Sequence, residues 1–284
     1  MKTKWGRFGG MESKRFLYPL GATLSLLLLP GQLTAQTVTL SDGGSTATVD
    51  VGSSAGMNSW SVLGQNQLMQ QWFFYSINGG PVQAINALGG MTYSQQSQNN
   101  FLDVTYGNSQ LSVEVQYSLT GGGTGSGSAD MSETLSVVNN SGATLNGLNF
   151  YEYSHFNLLQ SYNNSIQIFG NQANGYGFVT QTSGNTAIQE AITSPNATSA
   201  EAALYNQTLN SFASTPGYNL NDNLTAGPGD VTWSFEWSTN LAAAQELDIF
   251  KDKSLSIQPI PEPSTLGLVA VGAGAFGWLL RRRS

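Results

Sequence analysis

The chain has one histidine, His155, in the run Tyr151-Glu152-Tyr153-Ser154-His155-Phe156-Asn157. On a strand, Tyr151, Tyr153, His155 and Asn157 would share one face, with Glu152, Ser154 and Phe156 on the other. An aromatic, hydrogen-bonding strip of that kind can stack on a sugar ring. The same alternation marks any half-buried strand, so the plainer expectation is a sheet face or a satisfied core histidine. Glu152, Glu190 and Glu201 offer a second chemistry. Two carboxylates flanking a glycosidic bond make a glycosidase, but such a pair is recognised by its separation in space. Asp222, between Asn221 and Asn223, and Asp230 could give a calcium ion hard oxygen ligands from loops. The alternating Asp series and closing Glu of a regular calcium loop are absent.

Two glycine patterns fail their context. Gly52-Ser53-Ser54-Ala55-Gly56 fits G-x-S-x-G, yet a nucleophile elbow needs a helix next, and Met57-Asn58-Ser59-Trp60 does not open one. Gly121 to Gly127 has the glycine content of a phosphate loop but no lysine, and reads as a hairpin connection. Zero cysteines exclude thiol catalysis and thiolate metal sites. No catalytic residue and no metal ligand set is assigned, and a non-enzymatic domain is expected. The one inorganic ligand weighed is a loop-bound calcium.

These residues must be held by strands. Val231-Thr232-Trp233-Ser234-Phe235-Glu236-Trp237-Ser238 alternates strictly, as does Leu111-Val113-Val115-Tyr117-Leu119 before its glycine run. Leu135-Val137 leads into a turn at Asn139-Asn140-Ser141-Gly142, and Leu145-Phe150 resumes. Further strands are predicted at Ala47-Val51, Met69-Ile77, Phe101-Tyr106, Tyr151-Leu159, Gly177-Gln181, Ile188-Thr193 and Leu247-Ile257. Turn residues separate them at sandwich-like intervals. Ser199 to Phe212 places Leu204, Tyr205, Leu209 and Phe212 near one helical face behind a Ser N-cap, predicting one short helix. The expected fold is all-β: an antiparallel sandwich or jelly-roll-like domain over residues 36–259.

Charge is distributed unevenly. From Gln36 through Phe250 there is no Lys or Arg, while Asp and Glu are scattered throughout. Such a surface repels phosphate backbones and excludes nucleic acid as a partner. Neutral glycans and divalent cations stay compatible with it.

Both ends read as processing segments. Lys2, Lys4, Arg7, Lys14 and Arg15 precede an apolar stretch peaking at Leu24 to Leu29, followed by Pro30 and a small residue at Ala35. This is the layout of a signal peptide over residues 1–35, with cleavage between Ala35 and Gln36 by signal peptidase. At the other end, Pro263 to Leu280 carries no charge and as a helix would span roughly 27 Å, close to a bilayer's hydrocarbon thickness. Arg281, Arg282 and Arg283 follow at once and place that end in the cytoplasm.

Pro261-Glu262-Pro263, the Gly/Ala-rich apolar stretch and the terminal arginines together resemble the PEP-CTERM sorting signal. That tail family is also labelled after ice-binding proteins; the sequence shows no long regular Thr array of the kind an ice-binding face needs. The resemblance covers the tail, residues 260–284. It implies an exosortase, a membrane protease or transpeptidase, as partner, reading Pro261, Glu262 and Pro263. It further implies a protein held briefly at the inner membrane and then placed at the cell surface or secreted.

Three functions follow in order. The first is a non-enzymatic surface or matrix protein associated with exopolysaccharide. The second is a carbohydrate-binding module using Tyr151, Tyr153 and His155, and the third a secreted hydrolase. Exposure of those three side chains separates the first two, and a deep acidic pocket would favour the third.

Overall fold

The computed structural model describes residues 36–257. The predicted signal peptide with Ala35, and the tail with Pro261, Glu262, Pro263 and Arg281–Arg283, lie outside the described residues.

Two nine-stranded sheets pack face to face into a sandwich. The first sheet opens with β1 (Thr37–Asp42), β2 (Ser45–Asp50), β3 (Gly56–Val62), the short β4 (Gln65–Asn66), β5 (Leu68–Ile77) and the short β6 (Gln83–Ala84). A 3-10 turn at Ile85–Leu88 then carries the chain to the second sheet: β7 (Thr92–Gln95), β8 (Phe101–Gly107), β9 (Leu111–Gly121) and β10 (Ser128–Asn139). β11 (Leu145–Phe156) returns to the first sheet, and β12 (Asn164–Asn171), β13 (Gly175–Ser183) and β14 (Thr186–Ser194) belong to the second. β15 (Ser199–Leu204), helix α1 (Gln207–Ser214), β16 (Thr225–Gly229), β17 (Val231–Leu241) and β18 (Glu246–Ser256) complete the domain. The main path of the first sheet is β1-β2-β3-β5-β11-β17-β15; the second runs β16-β12-β13-β14-β18-β10-β9-β8-β7. Pairing is antiparallel except where β3 meets β5 beside Gln71.

The predicted alternation is what builds the interior. In β9, Leu111, Val113, Val115, Tyr117 and Leu119 are all fully buried, with half-buried residues between them. Phe73 stacks on Phe150, and Phe156 on Trp233 with centroids 5.2 Å apart and planes 8° from parallel. Burying such rings is the main stabilising term for a domain without disulfides. Gly56 marks a tight approach: a Cβ there would stand 2.2 Å from Trp72 Cε3, and its φ of +56° is one that favours glycine.

Every strand predicted from sequence lies in or overlaps an observed one, although Leu145–Phe150 and Tyr151–Leu159 fuse into the single β11. The strands β1, β3, β7, β12 and β16, and the two-residue β4 and β6, fall outside the predicted strands. The helix needs correction. Ser199–Leu204 is a strand, and α1 starts only at Gln207, after Asn206 in a left-handed conformation. The alanines of β15 satisfy the otherwise open edge of β17, from Ser199 opposite Glu236 to Leu204 opposite Val231. A row of sheet hydrogen bonds outweighs a modest helix propensity.

Candidate functional site

Two places gather side chains with chemistry. The first is sealed between the sheets. β18 turns Lys251 and Lys253 inward, its central position putting them beside β10 and β14, where Glu133 is in register with Lys251 and Glu190 with Lys253. From the opposite sheet β11 adds Glu152, and all five side chains are inaccessible to solvent. Lys253 Nζ lies 2.7 Å from Glu152, 3.0 Å from Glu133 and 3.3 Å from Glu190. Lys251 Nζ binds Glu133, reaches Glu152 at 2.8 Å and Glu190 at 3.2 Å, and sits 4.9 Å over the Phe73 ring. Trp233 Nε1 donates to Glu190 at 2.8 Å, Ser154 Oγ to Glu152 at 3.2 Å, and Gln71 Nε2 reaches both Glu133 and Glu152.

The cluster holds three carboxyls against two ammonium groups. Burial works to raise Glu152, but Lys251 and Lys253 override it and hold that carboxyl well below its ordinary range. Burial, reinforced by the adjacent Glu152, pushes Glu190 up to about 7, the lysines offsetting only part. For Lys253, burial alone would lower it, yet Glu133, Glu152 and Glu190 keep it well above the usual lysine value. The cluster carries one more carboxyl than ammonium, and Glu190 is the carboxyl whose affinity for a proton is raised by that imbalance.

Glu152 and Glu190 are therefore brought together, as a carboxylate pair would require, but inside a solvent-free core. Glu201 joins neither. It lies on the outer face of the first sheet, taking hydrogen bonds from Thr208 Oγ1 at 2.6 Å and Tyr218 OH at 2.7 Å, and it ties α1 to the following loop. Burial first and Glu201 second push the Tyr218 hydroxyl up to about 12.

The second place is a surface cleft of about 210 Å³ at the end of β11. His155 Nε2 meets Asp230 Oδ1 at 2.7 Å, and Tyr205 stacks on the imidazole with centroids 4.6 Å apart. A backbone hydrogen bond from Tyr205 N to Asp230 O, 2.9 Å long, fixes these two partners to each other. Met69, Gln70, Asn157 and Tyr162 complete the lining.

The predicted aromatic face thus splits. Tyr151 and Tyr153 are fully buried, Tyr151 beneath Phe212 of α1 with its hydroxyl donating to Tyr218 O. Burial, with Tyr205 and Asp230 nearby, raises the Tyr153 hydroxyl. Only His155, 5 % exposed, reaches the cleft. The cleft's rings open to solvent are Tyr162 and Tyr205, on loops; Tyr205 precedes the helix on which the sequence pattern places it. Ser54 sits in the turn between β2 and β3, with a strand and no helix after it, so the G-x-S-x-G pattern is a turn. The Asp222 carboxylate accepts from Ala200 N and Gln172 Nε2, and no group of three His, Asp or Glu side chains suited to a metal occurs among the described residues.

Residues 259–283 match the model of the PEP-CTERM protein-sorting motif. The chain carries a PEP-CTERM sorting tail. The signal marks it for export and for exosortase processing from the membrane, and the match covers the tail alone. Among the described residues no helix is long and apolar enough to cross a membrane. No curated protein matches the chain. The sandwich is similar in fold to part of a solved structure titled as a bacterial glucoamylase complexed with acarbose, at 10 % identity and a TM-score of 0.54. That likeness covers 84 % of this chain and 34 % of the other, so the chain spans about a third of that enzyme's length.

Proposed function

We propose that the two-sheet domain is a non-catalytic surface or matrix protein that associates with exopolysaccharide once the sorting tail has been processed. The observation that carries this reading is the PEP-CTERM motif at 259–283, which supplies a route out of the cytoplasm and a processing step. The burial of Glu152 and Glu190 supports the non-catalytic part. Both carboxyls are committed to Lys251 and Lys253 in a core no glycosidic bond can enter.

The reading is tested by producing the full chain in hosts with and without an exosortase and measuring the mass and location of the product. With the enzyme, a species shortened near Pro261–Pro263 is expected outside the cell, sedimenting with polysaccharide. Without it, the full-length chain stays in the inner membrane. Identical, membrane-held products in both hosts would reduce the molecule to an ordinary anchored ectodomain.

A further inference from the structure

The cleft beside His155 combines features that select a ligand class. Tyr162 is 72 % exposed, and Tyr205, stacked on His155, is still 45 % exposed, so two aromatic rings border one cleft. Asn157 is 8 % exposed, and its side-chain Oδ1 is buried without a hydrogen-bond partner at the lining of the cleft. A buried acceptor left unpaired is costly, and a small turn of the Asn157 side chain toward the cleft would let a donor there satisfy it. Asp230 gives one carboxylate oxygen to His155, and its side chain remains 27 % exposed.

The charge pattern narrows the class. Lys251 and Lys253, the only Lys or Arg among the described residues, are both buried, so that surface presents no ammonium or guanidinium group to an anion. A cationic ligand would have to compete with His155 for Asp230. The volume, about 210 Å³, lies below the roughly 300–1,000 Å³ of drug-sized pockets and suits one small polar ring.

We propose that this cleft binds a single neutral sugar ring of a glycan, with Tyr162 and Tyr205 offering apolar faces and Asp230 and Asn157 accepting from its hydroxyls. The site rests on the reading of the domain as polysaccharide-associated, and names where that association is made. Sorting and binding fail separately: the host comparison above reports on processing whether or not any sugar binds.

The full-length protein, kept in a sugar-free detergent, is applied to an array of immobilised glycans. The array carries neutral hexoses, deoxyhexoses and N-acetylhexosamines, together with uronic acids and amino sugars. Binding is expected to at least one neutral class. Tyr162→Ala and Tyr205→Ala should each weaken it about tenfold, the scale of a lost ring contact with its buried area. Tyr93→Ala, an exposed tyrosine outside the cleft, should leave it unchanged. Tyr162 is the decisive variant, because so exposed a side chain can be removed without unfolding the domain. Binding confined to uronic acids or amino sugars overturns the proposal. So does neutral-glycan binding that Tyr162→Ala and Tyr205→Ala both leave intact, or no binding to any neutral glycan on the array.

Discussion

Replacing Lys253 with methionine is expected to lower the unfolding free energy of the domain by about 3–5 kcal/mol, the usual cost of removing one partner from a buried ion pair. The ammonium of Lys253 lies within 3.3 Å of three carboxyls, all without access to solvent. Without it, Glu133, Glu152 and Glu190 face Lys251 alone, and no water can screen the imbalance. Domains of this kind hold only about 5–15 kcal/mol in total, so the loss is a large share of the stability. Urea unfolding followed by the fluorescence of the buried Trp60, Trp72 and Trp233 measures it directly. A second substitution, Glu190→Met, removes the most strained carboxyl as well and should restore much of the loss, because apolar replacement of a whole buried pair is often neutral. A single variant within 1 kcal/mol of the parent would mean that these charges are not buried together.

The second large effect concerns pH. Glu190 has a folded pKa raised to about 7, by burial first and by the neighbouring Glu152 second, against an ordinary value near 4.3 in the unfolded chain. A carboxyl shifted upward contributes stability that is whole below its unfolded pKa and is lost as pH rises to its folded one. The domain should therefore lose up to a few kcal/mol between about pH 4.5 and 7 and then level off. The groups facing Glu190 do not cancel this window. Glu152 is shifted downward and changes stability only at more acid pH, whereas Lys253 is shifted upward and acts only in strong base. Glu190→Gln mimics the protonated acid, keeping an acceptor for Trp233 Nε1 and a donor for Glu152. Its stability should be nearly flat across that window, matching the parent near pH 5 and exceeding it at pH 8. Parallel curves for the two proteins would show that the cluster's proton resides elsewhere.

Much of this core was legible, and the clue was charge at an apolar phase. Along β18, Leu247, Ile249, Lys251, Lys253, Leu255 and Ile257 share one parity, so the alternation itself turns both lysines inward. Glu133 falls between Met131 and Leu135 in the same way, and Glu190 between Ile188 and Ile192. The sequence did not say that these strands meet. The order β14-β18-β10 joins segments distant in the chain, Lys251 and Glu133 lying 118 residues apart, and local patterning carries no record of such pairing. The fate of the aromatic strip was hidden for a similar reason. Tyr151 alternates as a solvent-facing residue would, but α1 and the loop after it supply a lid from residues 207–220. The cleft itself is built from loop residues: Tyr162 and Asp230 fall in no period, and Tyr205, placed by the helical period on a helix face, lies in the turn between β15 and α1.

The burial of Lys251 and Lys253 has a practical consequence for detecting this protein. Between Arg15 and Lys251 the chain offers trypsin no bond at all, and in the folded domain the two lysines are closed to any protease or amine-reactive reagent. Digestion for mass spectrometry would leave nearly the whole domain as one oversized fragment, and amine-directed cross-linkers or dyes would find no lysine on its described surface. An inventory of extracellular proteins made with trypsin alone would under-count this molecule even where it is abundant. Cleavage at its scattered acidic or aromatic residues would reveal it.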